Sequence, residues 1–208
     1  MKRQFLSAVA ALALMGCTQP AADAPSDVAT PADAAAVESA PPVVRAPGDD
    51  ALRASITMDY TDNLQALYEH FHANPELSLM EVETAARLAA ELRALGYEVT
   101  EGVGGTGLVA VLPNGEGPTV MMRADMDALP LEEHTDVAYA STVTGIDRRG
   151  LESHVMHACA HDTHMTALVG TARQMMERRD DWSGTLVLIG QPAEEIGLGA
   201  GMKIAGLA

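Results

Sequence analysis

Apolar residues recur at helical spacing between residues 55 and 71, where Ile56, Leu64, Leu67 and Tyr68 fall on one face, so the pattern predicts a helix there. Pro75 interrupts it. A second helix is expected from about 79 to 95, closing at Gly96, the residue type favoured just past a helix end. The period then changes. Short runs at 98–100 and 107–112 read as strands, with a Pro-Asn-Gly turn at 113–115. "TVMMRA" (119–124) and "TLVLIG" (185–190) are largely apolar runs of the kind buried on both sides of a sheet. Between them, Met165, Leu168, Val169, Ala172 and Met176 mark one face of a helix from 161 to about 179. This alternation predicts an α/β domain with a largely parallel sheet and helices on both faces.

The first fifty residues follow neither period. Lys2 and Arg3 precede "FLSAVAALALMG", a run too short to span a bilayer and laid out like a secretory signal, assigned here to residues 1–16. "LMGC" resembles the lipobox of bacterial lipoproteins, with Gly16 before the cut and Cys17 as the lipidated residue; ordinary secretion with cleavage nearby is the alternative. Thr18, where an inner-membrane retention signal would carry Asp, favours the outer membrane and periplasm. The expectation is an exported protein in the bacterial cell envelope, touching the membrane only through a lipid anchor. Residues 17–50 are rich in Ala, Pro and acids and cannot bury enough surface to offset their conformational entropy, so they read as a flexible tether. Residues 51–208 make the folded domain.

Composition narrows the chemistry. With 29 Asp+Glu against 13 Lys+Arg and a net charge of −16, the chain lacks the basic footprint of a nucleic-acid binder. If Cys17 carries lipid, Cys159, the other of two cysteines, has no intrachain partner and needs protection by burial or by metal ligation. "GVGGTG" (102–107) matches G-x-G-x-x-G, but a strand rather than a helix follows it, so it reads as a turn and no dinucleotide site is assigned.

Three polar clusters follow apolar strands or open a helix: "DMDALP", "QPAEE" and "HACAHDTH". In open α/β sheets the ligand crevice lies beyond the carboxyl ends of the strands, so all three could converge there. Glu194 and Glu195 would repel each other unless a cation or a proton separates them; solvated loop acids are the plain alternative. Cys159 and His161 offer a thiolate and an imidazole, donors suited to zinc, and His157 and His164 are further candidates, each more readily a hydrogen-bonded structural histidine. Asp162 could orient a ligating histidine or cap the helix. Asp125 and Asp127, alternate residues on an extended segment, share a face and could ligate a metal or orient a histidine. A cysteine nucleophile, Cys159 with a histidine base, is the rival chemistry, and it leaves the paired glutamates unexplained.

With "HANPELSLMEVETA", "RADMDALPLEE", "MHACAHDTHMTALVGTA" and "QPAEEIGLGAGMKI" in this order, residues 59 to 208 resemble the M20 family of metallopeptidases, and most of all its aminoacylase branch of hippurate hydrolases, N-acyl-amino-acid amidohydrolases and auxin-conjugate hydrolases. The resemblance implies a zinc-peptidase-like catalytic domain with a smaller inserted domain, expected beyond residue 208, that serves closure or a homodimer. It implies two divalent ions, zinc as first choice and manganese, cobalt or nickel as alternatives. By motif position Cys159, His161 and Glu195 would be metal ligands, Cys159 able to bridge the ions, Glu194 the general base and acid, and Asp127 the catalytic carboxylate that orients the metal site. Asp125 has no firm ligand role in this branch. The implied substrate is a small N-acyl amino acid or peptide.

Two departures stand out. Ala160 replaces the glycine of Cys-Gly-His-Asp; a minor effect is expected unless the residue has positive φ, where a methyl costs about 1 kcal/mol or more. The family also takes two further metal-binding histidines from positions beyond 208, so the 208-residue chain is expected to be a fragment, inactive alone and weak in binding metal. A truncated or degenerate member that persists as a binding or structural domain is the alternative.

Overall fold

The structure, a computed structural model, describes residues 49–206. The expected signal sequence at 1–16, Cys17 and the expected tether before Asp49 lie outside the described residues. Helix α1 (Asp49–Asp59) passes through a π-helical turn (Tyr60–Leu64) into α2 (Gln65–Ala73). Leu64, Leu67 and Phe71 enter the core, whereas Ile56, expected on the same face, is 45% exposed. Helix α3 spans Val82–Ala94, not 79–95: Leu79 has φ of 70°, and the chain turns through Met80 N–H to the Leu77 carbonyl. The turn brings Glu81 wholly inside, where a helix continued from Leu79 would not put it. Gly96, at φ 88°, closes α3 with N–H bonds from Gly96 to Arg93 and from Tyr97 to Leu92.

The strands are β1 (Glu98–Glu101), β2 (Leu108–Asn114), β3 (Thr119–Asp125), β4 (Thr144–Ile146), β5 (Glu152–His154) and β6 (Gly184–Gln191). Helix α4 (His161–Glu177) precedes β6, and α5 (Gly199–Gly206) follows it. The main sheet has the order β1-β2-β6-β3, and β4 pairs with β5 in a separate hairpin. The α/β class and the sheet flanked by helices are as expected. The pairing is mixed rather than largely parallel: β1–β2 and β2–β6 are antiparallel and only β3–β6 is parallel. Loop length is the physical reason. The glycine-rich segment 102–107 is short enough only for an antiparallel return, closed by Val103 N–H to the Gly107 carbonyl, whereas the connection from β3 to β6 contains α4 and permits a parallel pair.

Leu108, Ala110 and Leu112 of β2 and Leu186 and Leu188 of β6 point into the core with Leu88 and Leu92 of α3 and Leu168 of α4. The opposite face is only half-buried at Val109, Val111, Val187 and Ile189. A second, small core of Leu77, Ala128 and Val155, with Val143 against it, lies under the hairpin. Among the described residues no helix is long and apolar enough to cross a membrane.

Candidate metal centre

Strands β3 and β6 run side by side, with Asp125 opposite Gln191, so their carboxyl ends open on one crevice and the loops carrying Asp127 and Glu194–Glu195 emerge together. His161, first residue of α4, stands at the same end. The three clusters singled out in the sequence therefore supply neighbouring groups.

Asp127 organises the crevice. It is fully buried; its Oδ1 accepts the Glu194 N–H and its Oδ2 the Glu195 N–H, both at 3.0 Å, and Ser78 Oγ donates to Oδ2 at 2.6 Å. Burial alone would raise its pKa, but the bonds from His161, Ser78 and the two amides outweigh it and hold the carboxyl below its ordinary range. Glu81, also fully buried, accepts the Ala193 N–H at 2.8 Å and the Thr106 hydroxyl at 2.5 Å. Three successive amides, 193 to 195, thus end on two buried carboxylates, which fixes a turn in which Ala193 has φ of 53°. Four described non-glycine residues have positive φ, and Leu79, Ala160 and Ala193 are beside this crevice. Strain of this kind persists only where surrounding contacts over-determine it.

His161 is oriented by the same residue. Its Nδ1 lies 2.6 Å from the Asp127 carbonyl, which can only accept, so Nδ1 carries the proton and Nε2 presents a lone pair in the neutral ring. Nε2 faces Glu194 Oε2 at 3.7 Å and Glu195 Oε1 at 3.9 Å. Glu195 Oε1 is buried with no hydrogen-bond partner among the described residues. A buried carboxylate oxygen without a donor, set opposite an imidazole lone pair, is the environment a divalent cation satisfies, so the donor set fits a metal. Burial alone would lower the His161 pKa; the Asp127 bonds and the charges of Asp125 and Asp127 instead push it up to about 9.

Cys159 is exposed and stands by Glu195, whose hydrogen bond, together with partial desolvation and the charges of Glu195, Glu194 and Asp127, raises the thiol pKa. That environment suppresses the thiolate and disfavours the nucleophile reading. On the other side of His161, Asp125 and His164 complete a second group of donors whose ligand atoms lie within 4.8 Å of one another. Asp125 is also ion-paired with Arg123, and the His161 and His164 rings stack at 5.4 Å.

Two expectations change. Among the described residues neither ring nitrogen of buried His157 has a hydrogen-bond partner, instead of its being a bonded structural histidine, and burial lowers its pKa to about 4. Ala160 has φ of 61°, so the condition under which its methyl costs energy is met. Asp162 accepts the Thr163 N–H in the first turn of α4 on Oδ1 at 2.7 Å, and its Oδ2 receives His72 Nδ1 at 2.6 Å, while His72 Nε2 reaches Glu133 at 2.8 Å. Sequence reasoning gives His72, Ser78, Glu81 and Glu133 no role. All four lie within "HANPELSLMEVETA" and "RADMDALPLEE", and that is the signal the sequence offers. A cavity of about 820 Å³ between α1 and α4, lined by Tyr60, Tyr68 and Tyr139, contains none of the candidate metal-site residues.

Residues 121–208 match the profile of peptidase family M20/M25/M40. The chain is 43% identical over 135 residues to the putative amidohydrolase YhaA of Bacillus subtilis, covering 64% of this chain and 32% of that protein. It is 41% identical over 138 residues to the N-acetyl-L-cysteine deacetylase of the same organism, covering 66% and 31%. The crystal structure of Bacillus subtilis YXEP, a dinuclear metal binding peptidase from the M20 family, superposes with a TM-score of 0.62 at 35% identity, covering 74% of this chain and 40% of that one. The chain therefore spans about a third of the length of the curated relatives it matches.

Proposed function

We propose that this chain, M20-family sequence over residues 121–208, carries the metal-bearing and proton-transferring part of a hydrolase that cleaves the amide bond of N-acyl amino acids or small peptides. The observation that carries the reading is the convergence of the His161 lone pair, the unpartnered Glu195 oxygen and Glu194 on one point of the crevice. His161 and Glu195, with Cys159 beside them, would hold the metal. YXEP is a dinuclear metal binding peptidase, and two divalent ions here would likewise supply Lewis acidity that polarises the amide carbonyl and acidifies water.

The chain's own residues do the rest. Glu194 has a half-exposed side chain at the crevice mouth, while Glu195 is mostly buried. Glu194 takes the proton of the attacking water as the new C–O bond forms. It then delivers that proton to the amine nitrogen as the C–N bond breaks, and ends as it began. Asp127 fixes the division of labour, because its two oxygens hold the backbone of both glutamates at once. The lipid-anchored envelope location remains part of this proposal and rests on residues 1–17 alone.

The test uses the protein encoded by the uninterrupted reading frame, alongside the 208-residue chain. Glu194→Gln is expected to abolish hydrolysis of N-acetyl amino acids while metal content stays near wild type. Equal loss of both would mean that the roles of Glu194 and Glu195 are reversed. The 208-residue chain, with Cys159, His161 and Glu195 as its ligands, is expected to be inactive alone.

A further inference from the structure

A second cavity, of about 460 Å³, opens directly against Glu195. Its volume falls within the range of about 300–1,000 Å³ usual for small-ligand sites. Its walls come from three parts of the chain: Leu77 and Met80 before α3, Leu129 and Pro130 after β3, and Ile146 of β4, with Ile196 closing the end next to Glu195. The floor is held by the small core of Leu77, Ala128 and Val155 and by backbone bonds between Leu129 and Met156. Large apolar side chains at the rim face solvent: Leu79 is 42% exposed, Met80 51% and Ile146 52%. Leu79 takes its place only through a positive φ, a conformation a branched side chain adopts at a cost.

One wall is charged. Arg148 and Arg149, at the tip of the β4–β5 hairpin, line the same cavity. Arg149 is committed to Asp147, which also accepts the Arg149 and Leu151 amides and so fixes the tip. Arg148 makes no hydrogen bond or ion pair among the described residues, although the chain as a whole carries a net charge of −16. A cation kept free beside an apolar cavity in an acidic protein suits a ligand with an apolar body and a negative charge.

We propose that this cavity receives the amino-acid half of the substrate, with an apolar side chain among Leu77, Met80, Leu129 and Ile146 and its α-carboxylate on Arg148. The inference rests on the amide hydrolase reading above and names its substrate class: N-acyl derivatives of apolar amino acids with a free carboxylate. The acyl half is the less suitable occupant, because a neutral chain would leave Arg148 without a partner. Glu195, which lines the same cavity, puts the bond to be cut next to the proposed metal ligands.

Equilibrium binding separates this assignment from the hydrolase reading, since it needs no turnover. The 208-residue chain is titrated, without metal and followed by NMR, with N-acetyl-L-phenylalanine, N-acetylglycine and N-acetyl-L-phenylalanine amide. The phenylalanine acid is expected to bind roughly tenfold or more tightly than the glycine compound, from the apolar surface it buries. It is also expected to bind several-fold more tightly than its own amide. Arg148→Gln should abolish the difference between acid and amide and leave the preference over glycine; the uncharged Ile146→Ser should do the reverse. Equal affinities for the three compounds, an unchanged acid preference in Arg148→Gln, or no binding at millimolar concentration would overturn the proposal. Selective binding by a protein that shows no metal-dependent hydrolysis in any form would sink the hydrolase reading and leave the cavity assignment standing.

Discussion

Behind Glu194 and Glu195 the chain is held by buried carboxylates, each engaged on both oxygens, whereas across the crevice the β4–β5 hairpin rests on Asp147 and a small apolar cluster. The first wall is over-determined: Asp127 and Glu81 receive three successive amides, a serine and a threonine. The second wall is lightly tied and carries exposed side chains. The contrast separates two tasks. On the proposed function, groups that would meet a metal at bonding distance need a backbone that does not move, while a surface proposed to sort substrates by apolar area tolerates adjustment. Substitutions in the first wall should therefore damage fold and chemistry together, and those in the second should change preference alone.

The largest effect is expected at Asp127. Removing its carboxylate in Asp127→Ala leaves the part-buried Glu194 and Glu195 amides and the buried Ser78 hydroxyl without their acceptor, a loss of about 2–3 kcal/mol in denaturant unfolding. The same change should weaken zinc binding by about 10–100-fold through the Glu195 backbone that the carboxylate holds, since the Asp127 carbonyl that meets His161 Nδ1 is kept. An Asp127→Ala protein with normal stability would mean that the wall is not over-determined. Glu81→Leu should cost less, about 2 kcal/mol, because a single amide and a hydroxyl lose their acceptor; Glu81→Gln should recover most of it, since one amide oxygen can still meet Ala193.

The pH response follows from His161. Its pKa rises from an ordinary 6.5 to about 9 in the metal-free fold, so its stabilising contribution is fully present below about pH 6.5 and is lost as pH climbs through 9. Thermal unfolding in chelator should show a lower midpoint at pH 9.5 than at pH 6.5. Zinc must displace that proton, so binding at neutral pH should release it and strengthen as pH rises, which calorimetry in buffers of different ionisation enthalpy reads directly. Zinc binding without proton uptake by the buffer would remove His161 from the ligand set.

The smallest change is expected at Ala160. At φ of 61° its methyl pays the left-handed penalty, partly offset by the greater freedom that glycine loses on folding. Ala160→Gly should raise stability by about 0.5–1 kcal/mol in equilibrium unfolding. A loss of stability would show that the surrounding bonds already absorb the strain.

What is legible in the sequence follows the same division. The apolar runs mark β3 and β6 as strands and the polar residues just past them mark the groups at their ends, but burial holds only for β6: β3 lies at the sheet edge and leaves Val120 57% and Met121 64% exposed, contrary to the expectation of a strand buried on both sides. Strand direction is not legible in this way, and the largely parallel expectation fails, since an apolar run carries no sign of its polarity in the sheet; the short glycine loop after β1 is the available clue. Glu81 and His72 escape because their partners, the Ala193 amide and Asp162, lie 112 and 90 residues away. The β4–β5 hairpin escapes because three-residue strands with mostly exposed side chains have no hydrophobic period to detect.

The most direct test of a metal held between His161 and Glu195 is a zinc titration of the 208-residue chain and of its Glu195→Gln and Glu194→Gln variants under the same conditions. Weak but measurable binding is expected for the unaltered chain, with its loss in Glu195→Gln and near-unaltered affinity in Glu194→Gln. Binding that is insensitive to Glu195→Gln would contradict that placement of the metal.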